Sequence, residues 1–351
     1  MQTAFLSDRL ATLSFRALLA LHVLFLASLL VTVGVADARA ETVCRGQNIL
    51  DALQRNDPQK LEAMRAEAAK IPNGQGILWK IEKAGAAPSF LFGTMHVTDS
   101  RVTELGNAAQ AAFDRSKALV IETTDVLDEK ALAAKIMARP ELTMFTDATT
   151  LDSLLSEGDR AILDKGLEAR GIPPASVAKM KPWMLATLLS LPECEMKRKA
   201  EGLSVLDVKL GEDAKKAGKQ VLGLETAVSQ LEAMASLPMS LHMAGLIQSL
   251  KLGKRIDDVT ETMVALYERG ETGMFWPLLR AEEPADAANE AGYAEFEEVM
   301  VKTRNRGMVK QAKPILDEGG AFIAIGAMHL PGEEGLVALF RKEGFTLSPV
   351  E

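Results

Sequence analysis

Two stretches near opposite ends of the chain finish in a histidine at the same spacing from a glycine. Residues 89–96 read Ser-Phe-Leu-Phe-Gly-Thr-Met-His and end at His96, and residues 321–329 read Ala-Phe-Ile-Ala-Ile-Gly-Ala-Met-His and end at His329. The chain contains four histidines, so this motif accounts for two of them. Short uncharged runs suit strands that are covered on both faces, and glycine permits a sharp exit from a strand. The pattern therefore predicts two buried strands that each deliver an imidazole.

Two glutamates occupy comparable positions. Glu122 follows the apolar residues 118–121, and Glu225 follows residues 221–224. Because ligands of α/β proteins bind in the crevice at the carboxyl ends of parallel strands, these glutamates and the two histidines can converge. Two imidazoles and one or two carboxylates suit a divalent first-row metal such as Mn²⁺, Co²⁺ or Zn²⁺. A carboxylate that does not bind the metal is then able to act as general base.

Each of these residues also has an ordinary structural interpretation. A histidine after a strand can be a loop residue with a satisfied hydrogen bond. Glu122 can be solvated or paired with a basic residue such as Arg115, and Glu225 can favour a helix amino terminus, where the dipole stabilises a carboxylate. His242 lies in an apolar helical pattern and is predicted to be structural. The duplicated motif favours a functional interpretation for the other two histidines.

Alternating strands and helices must position these side chains. Helical patterns occupy most of the chain after residue 45, and apolar runs predict strands at residues 77–81, 89–92, 118–121, 221–224, 321–325 and 345–347. Strands that alternate with long helices require crossover connections, which produce parallel pairing. We therefore predict an α/β fold with a central, largely parallel sheet flanked by helices. An amino-proximal hairpin and a helical insertion at about residues 126–200 complete the predicted architecture.

The amino terminus has the order of a secretory signal peptide. Arg9 and Arg16 precede the apolar residues 17–31, and small residues follow up to Ala40. We predict a signal peptide over residues 1–40 that is cleaved after Ala40, which makes the protein periplasmic or secreted. The alternative is an uncleaved anchor, and only then would the protein contact a membrane. A helical segment at residues 41–75 and one α/β domain at residues 76–351 are predicted to follow.

Composition and cysteine content restrict the function further. The chain has 351 residues, is 48% hydrophobic and has a net charge of −8, which disfavours nucleic acid and anionic membrane surfaces as partners. Cys44 and Cys194 both lie in the predicted exported part. An even pair in an oxidising compartment predicts one disulfide, although two unpaired thiols are the alternative.

A set of short motifs in this order resembles the TraB/GumN family. This family includes the TIKI Wnt-inactivating proteases and has distant erythromycin-esterase-like and ChaN-like relatives. The resemblance covers roughly residues 77–350. It rests on the motifs Leu-Trp-Lys-Ile (78–81), Leu-Phe-Gly-Thr-Met-His-Val (91–97), Lys-Pro-Trp (181–183), Gly-Leu-Glu-Thr (223–226), Arg-Asn (304–305) and Gly-Ala-Met-His-Leu-Pro-Gly (326–332).

The resemblance implies a metal-dependent active site built from both histidine motifs. It implies His96, His329 and Glu225 as metal ligands, and Glu225, Glu122 and Arg304 as catalytic residues. In the stretch before Asp207 the chain departs from the family, whose members often have glycine before a hydrophobic-Asp pair, so Asp207 receives no role.

Arg304 is predicted to lie on a helix and to stabilise developing oxyanion charge. Alternatively, Arg304 is a surface cation that lies near Glu297 or Glu298.

The resulting hypothesis is an exported metal-dependent hydrolase, most like a peptidase, that acts on a peptide or another small substrate. The alternative is a non-catalytic envelope protein that binds a metal or haem or assists polysaccharide assembly. The sequence predicts no oligomeric state.

Overall fold

A single six-stranded sheet contains all four strands that were predicted to end at site residues. The computed structural model describes residues 43–282 and 287–350, so the predicted signal peptide and its cleavage site lie outside the described residues. The strands are β1 (Leu78–Glu82), β2 (Ser89–Thr94), β3 (Ala118–Ile121), β4 (Gln220–Gly223), β5 (Ala321–Gly326) and β6 (Thr346–Pro349). Their order across the sheet is β4-β3-β5-β2-β1-β6.

The sheet is only partly parallel, which corrects the prediction of a largely parallel sheet. Strands β4, β3, β5 and β2 pair in parallel, whereas β1 pairs antiparallel with β2 on one side and with β6 on the other. The predicted hairpin between β1 and β2 is present, and a hairpin requires antiparallel pairing. Strand β6 lies on the outer side of β1 and also runs antiparallel to it.

Alternate residues of the central strands pack on opposite faces of the sheet, as the two-residue period of a strand requires. One apolar cluster contains Phe90, Phe92 and Phe322, and the cluster on the other face contains Leu91 and Ile323. Helices cover both faces, so β2 and the first five residues of β5 are buried throughout. This burial explains why these strands appear in the sequence as continuous apolar runs and not as alternating ones.

Helices make up most of the remaining described chain. Before β4 they are α1 (Ile49–Asn56), α2 (Pro58–Ala68), α3 (Ser100–Thr103), α4 (Asn107–Arg115), α5 (Glu129–Met137), α6 (Pro140–Thr143), α7 (Glu157–Ala169), α8 (Pro174–Val177), α9 (Pro182–Leu189), α10 (Glu193–Ala200) and α11 (Leu206–Lys216). After β4 they are α12 (Ala227–Ser236), α13 (Met239–Leu252), α14 (Arg255–Glu268), α15 (Phe275–Ala281), α16 (Ala287–Glu297), α17 (Arg304–Glu318) and α18 (Leu336–Lys342). A π-helical turn, Glu298–Thr303, joins α16 to α17.

The segment between β3 and β4 is helical and has an apolar core of its own. Residues 122–219, all of which the structure describes, contribute no strand to the sheet. Leu246 of α13 packs with buried residues of this segment, which are Leu151, Leu163, Leu167, Val177, Leu185 and Leu189. These leucines recur at helical spacing in the sequence, which is why the pattern predicted helices here.

Contacts divide the chain into two compact units. The sheet and the helices around it belong to the unit Cys44–Pro192 and Ser204–Glu351. Residues Glu193–Leu203, with α10, belong to the other unit, and within α10 Arg198 donates a hydrogen bond of 3.2 Å to Glu195.

Cys44 and Cys194 are both disulfide-bonded, which confirms the predicted disulfide. Among the described residues, no helix is both long enough and apolar enough to cross a membrane.

Candidate functional site

The four predicted side chains follow four neighbouring parallel strands. Glu122 comes directly after β3 and Glu225 shortly after β4, while His96 and His329 follow β2 and β5. Since β4, β3, β5 and β2 are adjacent and parallel, their carboxyl ends share one edge of the sheet. The topology therefore brings together residues that are far apart in sequence.

Three of these side chains surround one point beside Gly326. A Cβ atom built on this glycine would lie 3.1 Å from Oε1 of Glu122, 3.6 Å from Cδ2 of His329 and 3.7 Å from Nε2 of His96. Gly326 has no side chain, so this space between the two imidazoles and the carboxylate is left open. The point beside Gly326 is where a bound group would meet all three residues.

His96 is held through its Nδ1 atom. Nδ1 lies 3.0 Å from Oδ2 of Asp207, and the hydroxyl of Thr94 donates a 2.9 Å hydrogen bond to the other oxygen, Oδ1. Asp207 is 6% exposed, whereas the His96 side chain is 60% exposed. A carboxylate can only accept a hydrogen bond, so Nδ1 of His96 carries the proton in this contact.

His329 is held in the same way by an amide. Its Nδ1 lies 2.6 Å from Oδ1 of Asn305, while Nδ2 of Asn305 donates to the carbonyl oxygens of His329 and Glu334 at 3.2 and 2.7 Å. These two donations identify which end of the amide is the nitrogen. The oxygen therefore faces the imidazole, and Nδ1 of His329 is the protonated nitrogen.

Burial keeps His329 neutral at pH 7. Desolvation lowers its pKa to about 4, and the charges of Arg304 and His96 act in the same direction, against the opposing effect of Glu122. A neutral imidazole is the form that binds a metal.

Glu122 is a buried carboxylate with a hydrogen bond to each oxygen. Oε1 accepts from the backbone N–H of Gly326 at 2.9 Å, and Oε2 accepts from Nη2 of Arg304 at 2.8 Å. Burial by itself would raise the pKa of Glu122. Coulombic interactions with the protonated forms of His329 and His96 and with Arg304, together with the N–H of Gly326, outweigh it and lower this pKa to about 2.

Glu225 is bound by Arg304 from the other side. Nε of Arg304 lies 3.2 and 3.1 Å from the two oxygens of Glu225, and Nη2 lies 2.8 Å from Oε2. The Arg304 side chain is 11% exposed, and it contacts both glutamates and not Glu297 or Glu298. One guanidinium thus bridges the predicted catalytic carboxylates.

Local structure explains how two helices reach the site. Thr226 forms a capping box with Ser229 at the start of α12, so the chain turns from β4 into a helix directly after Glu225. The π-helical turn Glu298–Thr303 immediately precedes Arg304 and Asn305, which contact different site residues. Single π-helical turns inside helices frequently lie at functional sites.

Three residues that the sequence did not assign to the site also contact it. Gln230 of α12 donates from Nε2 to Oε2 of Glu122 at 2.9 Å and to Oε2 of Glu225 at 3.2 Å. Asp207 and Asn305 bind the two histidines. Asn305 directly follows Arg304 in a motif that carried the family resemblance, which was a usable signal, whereas no sequence pattern marks Gln230.

His242 lies apart from this set. It is 5% exposed, and its Nε2 lies 2.9 Å from the carbonyl oxygen of Met234. Burial lowers its pKa. Its environment is that of a core histidine with a backbone partner.

The donor set around Gly326 suits a divalent cation in its chemistry. Two imidazoles whose Nδ1 atoms are bound by acceptors, together with one carboxylate, resemble the ligands and outer partners of zinc and manganese sites. In addition, the carboxylates of Glu122 and Glu225 share the single guanidinium of Arg304. Within the part of the chain that the structure describes, however, no three His, Cys, Asp or Glu side chains are already arranged to hold a metal ion.

The fold and site define an α/β protein with two histidines and two glutamates at the carboxyl edge of its sheet. Residues 77–349 match the TraB/PrgY/gumN family, and the chain belongs to this family. The resemblance that the motifs indicated is thereby confirmed.

Curated relatives carry metalloprotease names. The chain is 24% identical over 313 residues to Metalloprotease TIKI1 of Danio rerio, covering 76% of this chain and 62% of the relative. It is 24% identical over 316 residues to Metalloprotease TIKI1 of Homo sapiens, covering 76% and 60%, and 23% identical over 325 residues to a TIKI homolog of Nematostella vectensis, covering 80% and 68%. The chain thus spans about three fifths of the length of the two TIKI1 proteins. No solved structure matches it.

Proposed function

We propose that this protein is an exported metal-dependent hydrolase that cleaves a peptide or a related amide bond. The observation that carries the proposal is the position of His96, His329 and Glu122 around one point beside Gly326. The metalloprotease names of the TIKI relatives support the reaction class.

The two imidazoles and Glu122 would hold the metal. A bound divalent cation would act as a Lewis acid towards a substrate carbonyl. The chain's own contribution is to keep both imidazoles oriented through Nδ1 and to keep Glu122 ionised through Arg304 and Gly326. The predicted ligand role of Glu225 stays a prediction, since the groups nearest the point beside Gly326 are Glu122, His329 and His96.

Glu122 and Glu225 would perform different roles. With a pKa of about 2, Glu122 stays ionised and is poorly suited to accept a proton at neutral pH. Glu225, whose carboxylate is kept in place by Gln230 and Arg304, would act as the general base.

Arg304 would organise the two carboxylates. Its Nε and Nη2 bind them, and its Nη1 donates to the carbonyl oxygen of Met300 at 3.2 Å. An oxyanion role for this residue stays a prediction.

Space for a substrate exists next to the loop that carries His329. A cleft of about 400 Å³ is lined by Met328 and Pro331 on that loop, and by Trp276 and Val301 on neighbouring elements. This cleft mixes an apolar surface with charged groups, as an extended peptide would require.

The disulfide favours an oxidising compartment and so supports the proposed export.

Metal analysis of the purified protein together with a peptide-library cleavage screen tests the proposal. Wild-type protein should retain a divalent metal and should cleave peptides when supplied with Mn²⁺, Co²⁺ or Zn²⁺, whereas His329→Ala should lose both properties. His242→Ala is the matched control, because it also removes a buried histidine but one outside the site. Unchanged metal content in His329→Ala would refute the site. Metal binding without any cleavage, or a Soret band on haem titration, would refute the hydrolase and favour a binding protein.

A further inference from the structure

We infer that Asp207 and Asn305 are positioning residues that select one tautomer of each site histidine, the one with its proton on Nδ1 and none on Nε2. Neither residue belongs to the predicted set of ligands and catalytic groups. The consequence for metal affinity rests on the proposed function, whereas the tautomer assignment does not.

Asn305 is constrained to a single orientation. It is fully buried, and its Nδ2 is committed to the carbonyl oxygens of His329 and Glu334. Rotating the amide by half a turn would direct Oδ1 at two carbonyl oxygens, which is repulsive. Only an N–H at Nδ1 of His329 can satisfy the amide oxygen at 2.6 Å, so Nε2 is left without a proton.

Asp207 imposes the same tautomer on His96 by charge. Thr94 donates to Oδ1, and Oδ2 faces Nδ1 of His96 at 3.0 Å. Asp207 lies in the first turn of α11, where the positive end of the helix dipole stabilises a carboxylate. An ionised carboxylate can only accept, so it selects the imidazole that has its proton on Nδ1.

The two positioning residues have a common placement. Asp207 is the second residue of α11, and Asn305 is the second residue of α17. Each therefore extends from a regular helix and not from a loop. A buried polar group held on a helix is able to orient a ligand accurately, as the outer partners of metal-binding histidines do.

Nitrogen NMR of imidazoles in metal-free protein at neutral pH separates this role from simple packing. In wild-type protein, His96 and His329 should both show the Nδ1–H tautomer. His242 is an internal control that should show the other tautomer, Nε2–H. Its Nε2 lies 2.9 Å from a carbonyl oxygen and must therefore be the protonated nitrogen. His96→Gln, His329→Gln and His242→Gln assign the signals.

Near-isosteric variants then test each contact. In Asp207→Asn, an amide N–H can face Nδ1 of His96, so the population should shift towards the Nε2–H tautomer. In Asn305→Leu, His329 should lose its single tautomer, because leucine cannot accept a hydrogen bond from Nδ1–H. His242 should remain unchanged in both variants.

Metal affinity supplies the second readout. Asp207→Asn and Asn305→Leu should weaken Zn²⁺ or Co²⁺ binding about 10- to 100-fold in a chelator-competition titration, which is the usual effect of removing an outer partner.

Wild-type-like tautomers in both Asp207→Asn and Asn305→Leu would overturn the inference, as would an Nε2–H tautomer at either site histidine of the wild-type protein. If Asn305→Leu fails to fold, Asp207→Asn and the wild-type spectrum still decide the question. Correct tautomers in a protein that binds no metal would contradict the proposed function and leave the positioning role intact.

Discussion

At the scale of single residues, Arg304 is the group on which the buried charges of the site depend. Its guanidinium contacts both Glu122 and Glu225, and the side chains of all three are between 11 and 12% exposed. Removing the cation would leave two carboxylates close together, away from water and without a positive partner. Such uncompensated charges are far more costly than a lost surface ion pair.

Arg304→Met should therefore lower the free energy of unfolding of metal-free protein by about 3–5 kcal/mol. Arg306→Met is the matched control, since Arg306 is an exposed neighbour that pairs with Glu298 and Glu334, and it should cost no more than about 1 kcal/mol. Urea unfolding at neutral pH measures both variants. Equal losses in the two variants would show that Arg304 does not compensate buried charge.

The stability of metal-free protein should fall in acid because of His329. Its pKa drops from the ordinary 6.5 to about 4 on folding, so the unfolded chain binds more protons between these values. Stability is therefore lost as the pH falls from 6.5 towards 4, and this histidine accounts for about 3 kcal/mol of the loss.

Glu122 extends the loss to lower pH. Its pKa is lowered from 4.5 to about 2, so its contribution to stability is present above pH 4.5 and disappears as the pH falls towards 2.

The variant His329→Gln tests the contribution of the histidine. Between pH 7.5 and 4.5, the free energy of unfolding measured with urea should fall clearly less steeply for His329→Gln than for wild type. Identical slopes would contradict a buried neutral imidazole.

The sequence predicted which side chains lie at one edge of the sheet better than it predicted their partners. The strand-end rule placed His96, Glu122, Glu225 and His329 together, because parallel strands have their carboxyl ends on one edge. It could not show that Arg304 binds both carboxylates. That contact depends on how α17 packs after a π-helical turn, and no local pattern specifies it.

At the scale of elements, the glycines of the two histidine motifs have different physical roles. A Cβ on Gly326 would occupy the point between the imidazoles, whereas a Cβ on Gly93 would lie 3.1 Å from Cβ of Ala327 and 3.2 Å from Cδ2 of Leu330. Gly93 thus allows the turn that carries His329 to pack directly on β2. One glycine leaves the space between three polar side chains open, and the other allows two elements to approach closely.

Gly93→Ala should cost about 1–3 kcal/mol of unfolding free energy, because a methyl group there overpacks the contact between β2 and the turn Ala327–His329. Gly245→Ala is the control, since nothing lies within 4 Å of a Cβ at this position inside α13, and it should stabilise the protein by up to about 1 kcal/mol. Thermal or urea unfolding distinguishes them. A neutral Gly93→Ala would mean that this approach tolerates a side chain.

Element boundaries were less predictable than the elements themselves. Helix α18 begins at Leu336, because residues 333–335 form a turn in which a Cβ on Gly335 would lie 2.2 Å from the carbonyl oxygens of Leu330 and Pro331. Similarly, residues 100–115 contain two helices, α3 and α4, and not one. Apolar periodicity marks which face is buried, but tertiary packing determines where a helix ends.

At the scale of the whole molecule, the sheet order explains both what the sequence predicted and what it missed. The parallel strands β4, β3, β5 and β2 are connected through helices, as the alternation of strand and helix patterns indicates. The direction of β6 depends on its partner β1, and a four-residue strand carries no sequence signal for its partner. The antiparallel pairing of β6 with β1 was therefore not foreseen, whereas that of β1 with β2 follows from the predicted hairpin.

The disulfide acts on the chain as a whole. Cys44 and Cys194 are distant in sequence and both are disulfide-bonded, so the cross-link closes a long loop in the unfolded state. A double Cys44→Ser, Cys194→Ser variant should lose about 2–4 kcal/mol of unfolding free energy. Wild-type protein in reductant should behave like the variant. Equal stability of oxidised wild type and the variant would contradict a stabilising cross-link.

The most direct test of the central claim uses Gly326, because all three proposed ligands surround its missing side chain. The backbone φ of Gly326 is −46°, a value that alanine adopts readily, so Gly326→Ala should fold. Elemental analysis should find about one divalent metal ion per wild-type chain and almost none in folded Gly326→Ala. A folded Gly326→Ala protein that retains the wild-type metal content would contradict the proposed metal site.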